Sequence, residues 1–175
     1  MIDSLTVLTV QRIAHVCDFR TDGEVLIESH IILDYLDSLA PQGRAMFPKD
    51  EPARHKALKV AALGSGLADK AVSLFYERNF HRETSDTWSA RCRLQMSSTL
   101  KALEDDRAVR PTPYWFGAEL GHADVIVAAA LRFMLDAHAG VMTLNDCPAL
   151  QAHLARCEAL PVFATISQPF IPPKA

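Results

Sequence analysis

Residues 123–135 are apolar nearly all the way round at helical spacing, broken only by Asp124 at the start and Arg132 near the end. A helix of that kind has no polar face to turn to water, so it belongs at the centre of a bundle. The chain supplies neighbours for it. Residues 51–80 carry Leu58, Ala61, Ala62, Leu67, Val72, Phe75, Tyr76 and Phe80 near one side of a long helix, where Gly64 and Gly66 would let another backbone come close. Residues 84–106 place Trp88, Cys92, Met96, Leu100 and Leu103 on a stripe at steps of four and three. The two helices are expected to pair across the turn at 81–83, with the stripes as core rather than as a cofactor cradle. Pro111 and Pro113 break the segment 107–117 into a loop. Asn145 and Asp146 before Pro148 open another helix to Cys157, and Leu160-Pro161 restarts a short one.

The front of the chain follows a different pattern. Asp22-Gly23 is a turn signal, and Val25, Leu26 and Ile27 form a short run of strand character. Glu28 and Ser29 come next, with Ser29 where an N-cap belongs. Ile31, Ile32, Tyr35, Leu36 and Leu39 then recur as the apolar face of a helix. The start of a helix presents unpaired N–H groups and a positive dipole end, so a carboxylate beside Ser29 would meet ready donors. Glu28 would meet an ammonium group. An α-amino acid end carries both groups on one carbon and suits the pair; the plainer reading has Ser29 capping its own helix and Glu28 in solvent. Ser4 to Val10 is β-prone and reads equally as a further strand for the hairpin or as an exposed, aggregation-prone segment. Pro41, Gly43, Pro48 and Pro52 mark a linker anchored by Met46 and Phe47.

Composition excludes several classes. A net charge of −3 over 175 residues, with no Lys/Arg cluster, gives no footprint for nucleic acid. The longest apolar run, 125–131, is too short to span a bilayer, and Asp3 precedes any basic region of a secretory signal. No membrane partner and a cytoplasmic location are expected. Cys17, Cys92, Cys147 and Cys157 form no C-x-x-C pair, so buried reduced thiols are expected rather than a disulfide frame or a metal site. His15 and Cys17 alone make a weak metal pair. His55, His81, His122, His138 and His153 lie scattered along helical segments, as surface or satisfied core residues do.

The order of hairpin, Glu28-Ser29 and helix resembles the end of the thioredoxin-like domain of glutathione transferases. Tyr114-Trp115-Phe116-Gly117, followed by Leu120-Gly121-His122-Ala123-Asp124-Val125, resembles the loop and Ser/Thr-x-x-Asp helix start of their C-terminal domain. Asp124 matches that motif as a structural cap, while Gly121 stands where the family has a hydroxyl. Pro148-Ala149-Leu150 and Leu160 to Phe163 fall where that domain has its last helices. The implied fold is mainly α: a glutathione-transferase-like C-terminal helical bundle preceded by an incomplete thioredoxin-like fragment. The implied boundaries are 1–40 for the fragment, 41–52 for the linker, 53–168 for the helical domain and 169–175 for the tail.

The resemblance further implies glutathione as substrate, with Glu28 and Ser29 on its γ-glutamyl end. Val16 stands at the position of the family's cis-proline, and a cis bond to a non-proline residue costs about 2.5–4 kcal/mol, so a trans bond and an altered groove are expected. The second substrate is implied to be a small hydrophobic electrophile facing Gly66, Lys70, Ser73 and Phe75, whose plainer role is helix packing. A homodimer is the implied assembly, and no metal is implied. Nothing before Asp22 matches the β-α-β unit that carries the family's catalytic Tyr, Ser or Cys. Partial glutathione binding with weak detoxifying catalysis by a truncated member is therefore expected. The alternatives are a non-catalytic helical interaction module and a fragment of a longer enzyme with a misassigned start.

Overall fold

The structure, a computed structural model, describes residues 8–9, 17–21, 24–26, 29–41 and 45–172; for 8–9, 17–21, 24, 29 and 30 it describes the backbone. The chain divides into two compact units, residues 1–49 and 50–175. In the first, β1 (Leu8–Thr9), β2 (Cys17–Thr21) and β3 (Glu24–Leu26) form an antiparallel sheet in that order. Leu8 pairs with Asp18, and Phe19 with Leu26. A two-stranded hairpin is marginal in water, and β1, cut from the β-prone segment 4–10, supplies its third strand. Helix α1 (Ser29–Ser38) follows, with Ile32 buried and Ile31 and Leu39 exposed. The Asp37 carboxylate accepts the backbone N–H groups of Met46 and Phe47, which ties the linker to the end of α1.

The second unit holds α2 (Ala53–Phe80), α3 (Asp86–Ala108), α4 (His122–Ala137), α5 (Pro148–Glu158) and α6 (Pro161–Ile166). Helix α4 is its centre: Val127, Ala128, Leu131 and Met134 are fully buried, and α2 and α5 pack on it. The α3 stripe is core from Cys92 through Met96 and Leu100 to Leu103. Its first member, Trp88, is 39% exposed and carries the Lys70 ammonium 5.9 Å above its ring.

Helix α2 corrects the sequence reading. Ala61, Leu67 and Phe75 are buried as read from the sequence, but the buried face also takes in Ala57, Val60, Gly64, Ala71 and Leu74, whereas Tyr76 and Phe80 are 49% and 57% exposed and Ala62 is exposed. The reason is steric. Small residues at 57, 64 and 71 recur once every two turns and admit α4 closely, so the contact face forms there and not under the large rings. At Gly64 an added Cβ would lie 2.9 Å from a methyl of Ile126 and 3.3 Å from the Val127 nitrogen.

The helix ends are closed by side chains from elsewhere. Glu77 accepts the Ser85 N–H ahead of α3, and the Ser85 hydroxyl accepts the Trp88 N–H at 3.2 Å. Pro148 opens α5, where Glu104 from α3 takes the N–H groups of Ala149 and Leu150, both at 2.9 Å.

Candidate functional site

Of the expected glutathione contacts, Ser29 is the first residue of α1. Glu28 and Val16 lie outside the described residues.

The four residues expected to face an electrophile do not share one face of α2. Gly66, Lys70 and Ser73 follow each other at steps of four and three. Phe75 lies five residues beyond Lys70, about 140° further round at 3.6 residues per turn. Gly66 borders open space, Lys70 covers Trp88, and the Ser73 hydroxyl donates to its own helix at the Asp69 carbonyl, 2.8 Å away. Phe75 is buried, and its ring meets Phe80 at 6.1 Å and Phe170 at 5.6 Å.

Phe170 lies in the proline-bracketed tail and has no periodic signal in the sequence. It stands edge-on to Phe75 and at 5.9 Å from Phe133 of α4, and the tail is tethered by the Ser167 hydroxyl, which accepts from Arg132 at 2.8 Å. Between the ends of α2 and α4 this leaves a cleft of about 400 Å³ lined by Phe75, Arg78, Asn79, Asp136, Phe170 and Pro172. Arg78 reaches back to His138, Nη1 to Nδ1 at 3.4 Å, while His138 Nε2 donates to the Ala71 carbonyl at 2.9 Å. Burial pushes the His138 pKa below its ordinary value against the pull of that carbonyl, so the ring stays neutral and accepts from Arg78. Two other clefts, about 440 and 560 Å³, are lined by groups already in use: Glu104 closes α5, and Arg110 pairs with Asp106 at 2.8 Å.

Beneath the loop 109–121 lies a buried polar network. The Asp124 carboxylate, 1% exposed, accepts the N–H of Trp115 at 2.7 Å and that of Gly121 at 2.9 Å, so it fastens the loop and caps α4 at once. Gly121 has no hydroxyl to complete a reciprocal box. The Trp115 indole donates to Asp106 at 2.6 Å, and Arg107 donates to the carbonyls of Thr112 and Pro113. His153, also 1% exposed, has Nε2 3.8 Å from Asp124 and 3.7 Å from the Cys157 sulfur. The four-residue spacing of His153 and Cys157 was the sequence signal for this pair, and the sequence reading passed over it.

That cysteine and histidine do not make a nucleophile. Burial, with the Asp124 charge beside it, pushes the Cys157 thiol up to about 12, and burial lowers the His153 pKa. A catalytic thiol needs the opposite shift and access to solvent. Among the described residues no cluster of three or more His, Cys, Asp or Glu side chains has a metal-binding arrangement, and no helix is long and apolar enough to cross a membrane.

A helical bundle centred on an Asp-capped apolar helix defines the class of the second unit, and residues 86–156 match the glutathione S-transferase C-terminal domain. Two structures of a glutathione transferase family member from Pseudomonas fluorescens Pf-5 are similar over both units. The one with bound S-(propanoic acid)-glutathione is 28% identical over 85% of this chain and 74% of that one, with a TM-score of 0.74. The one with bound glutathione is 26% identical over 88% and 74%, with a TM-score of 0.76. Maleylpyruvate isomerase from Pseudomonas aeruginosa PAO1, 24% identical over 85% and 77% with a TM-score of 0.70, shares the fold. Comparison with curated proteins gives no match. Residues 86–156 thus resemble a glutathione S-transferase C-terminal domain, and the likeness to glutathione transferase structures extends over most of the chain.

Proposed function

We propose that this protein binds glutathione through residues 1–40, a thioredoxin-like fragment, and uses the helical domain 53–168 to receive a small hydrophobic electrophile. The carrying observation is the likeness to a family member whose structures hold glutathione and a glutathione thioether, together with a helix that begins at Ser29. On this reading the glutathione carboxylate meets the α1 N-terminus beside Ser29, and Glu28 meets the ammonium. With a chloroaromatic electrophile, the class used in the assay below, the sulfur attacks the ring carbon bearing chlorine, the carbon–chlorine bond breaks, and chloride and the thiol proton leave to solvent. With Val16 in the cis-proline position and no hydroxyl or thiol assigned to stabilise the thiolate, turnover is slow.

Calorimetry with glutathione and a spectrophotometric assay with 1-chloro-2,4-dinitrobenzene test the reading. The expected result is millimolar binding, weakened by Ser29→Ala, with slow turnover. Absence of heat at millimolar glutathione removes the binding claim. Light scattering tests the expected homodimer, and cell fractionation tests the cytoplasmic location.

A second reading, a non-catalytic interaction module, is favoured by the exposed Tyr76 and Phe80 rings, stacked edge-to-face at 5.3 Å. Glutathione-dependent turnover decides against it.

A further inference from the structure

We infer that the cleft between the ends of α2 and α4 selects small planar aromatic compounds bearing an anionic group, and that Arg78 reads the charge. The shape argument comes first. At about 400 Å³ the cleft is of a size for one or two fused rings. Its apolar walls are Phe75 and Phe170, set edge-on at 83°, with Phe133 behind Phe170. A planar ligand entering there meets ring faces and edges in the tilted geometries that aromatic pairs prefer.

The charge argument is independent of the shape. Among the described residues Arg78 has no carboxylate partner. The one acid lining the cleft, Asp136, lies toward Arg132, 3.7 Å from its Nε. The group that holds Arg78 is the buried His138, anchored through Nε2 to the Ala71 carbonyl. An acceptor of that kind orients a guanidinium without neutralising it. A guanidinium has five N–H donors in a planar fork, so one bond to an imidazole leaves the pattern that matches a carboxylate or sulfonate. An ordered cation next to stacked rings is a recognition arrangement, whereas a cation paired with its own carboxylate is not.

That the anionic aromatic is an electrophile awaiting glutathione rests on the transferase reading, but its binding does not, so the test uses the full chain without glutathione. Two fluorescent probes differ by a single charged group: 8-anilinonaphthalene-1-sulfonate and the neutral N-phenyl-1-naphthylamine. The sulfonate is expected to bind about tenfold more tightly than the neutral probe. Arg78→Gln is expected to remove about that factor from the sulfonate alone, the usual scale of one charge-assisted pair. Phe170→Ala is expected to weaken both probes severalfold, which separates the cleft from the exposed Tyr76 and Phe80 rings. Equal sulfonate affinity in Arg78→Gln and the parent overturns the inference, as does indifference of both probes to Phe170→Ala. A chain that shows the expected pattern yet gives no heat with glutathione keeps this site and loses the transferase reading; binding of glutathione without the pattern does the reverse.

Discussion

Two glycines two positions apart on α2 should respond to the same substitution with opposite sign. Alanine in place of glycine inside a helix gains about 0.5–1 kcal/mol, because glycine loses more backbone freedom on folding. At Gly66 nothing lies within 4 Å of the new methyl, so Gly66→Ala collects that gain. At Gly64 the methyl would stand 2.9 Å from Ile126 Cγ2, 3.2 Å from Val127 Cγ2 and 3.3 Å from the Val127 backbone nitrogen. Both neighbours are β-branched and in a helix have essentially one χ1 rotamer, so neither methyl can swing aside. Relief requires α2 and α4 to separate where they pass close to one another. Overpacking of this sort costs about 1–3 kcal/mol, which exceeds the propensity gain and leaves Gly64→Ala about 1 kcal/mol less stable.

Urea unfolding followed by circular dichroism reads both variants. Their midpoints should move in opposite directions with unchanged slope, and thermal midpoints should differ by several degrees, since about 1 kcal/mol shifts a domain of this size by roughly 3–5 °C. Stabilisation of both variants would mean that α4 gives way at little cost, and the account of why α2 buries its small residues would fail with it. A longer side chain sharpens the contrast, because Gly64→Val adds bulk where even one methyl is not accommodated.

Removal of the Asp124 carboxylate leaves the buried N–H groups of Trp115 and Gly121 without acceptors, so Asp124→Ala should cost about 3 kcal/mol or more in urea unfolding, and a loss below 1 kcal/mol would refute its role as clamp. His138 and His153 have pKa values lowered by burial, opposed by the Ala71 carbonyl and by Asp124 respectively, so the unfolded chain takes up more protons below their ordinary value of 6.5. Stability should therefore be level above that pH and fall as pH drops through it, by at most about 1.4 kcal/mol per pH unit for each histidine; a level profile from pH 7 to 5 contradicts this. Carboxylates enter later: the Ser85 N–H lowers the Glu77 pKa, and at Asp106 the bonds from Arg110 and Trp115 outweigh burial, so the stability each provides is present above its ordinary value, 4.5 for Glu77 and 3.8 for Asp106, and is lost as pH falls below it. The thiols of Cys92, Cys147 and Cys157, all raised by burial, should resist iodoacetamide at pH 8 in the native state and react in urea, as peptide mapping would show.

The parts of the fold legible in the sequence are those in which a local rule and the tertiary outcome coincide. The α3 stripe from Cys92 to Leu103 is a plain periodic signal with no competing apolar face, and it is core in the structure. Asp124 stood three residues after a tolerable N-cap and ahead of an apolar helix, so its capping role followed from local chemistry. In α2 the rule held for Phe75 and misled for Tyr76 and Phe80, which outweigh Ala57, Gly64 and Ala71 on any hydrophobic scale. Close approach of two helices is governed by the volume that must be kept empty, which a count of apolar residues does not measure.

The cleft was beyond sequence reading for a related reason. Its electrostatics rest on Arg78 meeting His138 across sixty positions, and its aromatic wall on Phe170 returning from a proline-rich tail to α2. Neither has a period or a spacing to betray it. His138 reads in sequence as one more scattered histidine; only the Ala71 carbonyl on one nitrogen makes the other an acceptor and leaves Arg78 its charge. On the inferred role of this cleft, its charge selectivity depends on which of two ring nitrogens a backbone atom occupies. It follows that replacing His138 by an acid, which keeps a partner for Arg78 but cancels its charge, should abolish sulfonate selectivity while leaving neutral-probe binding in place.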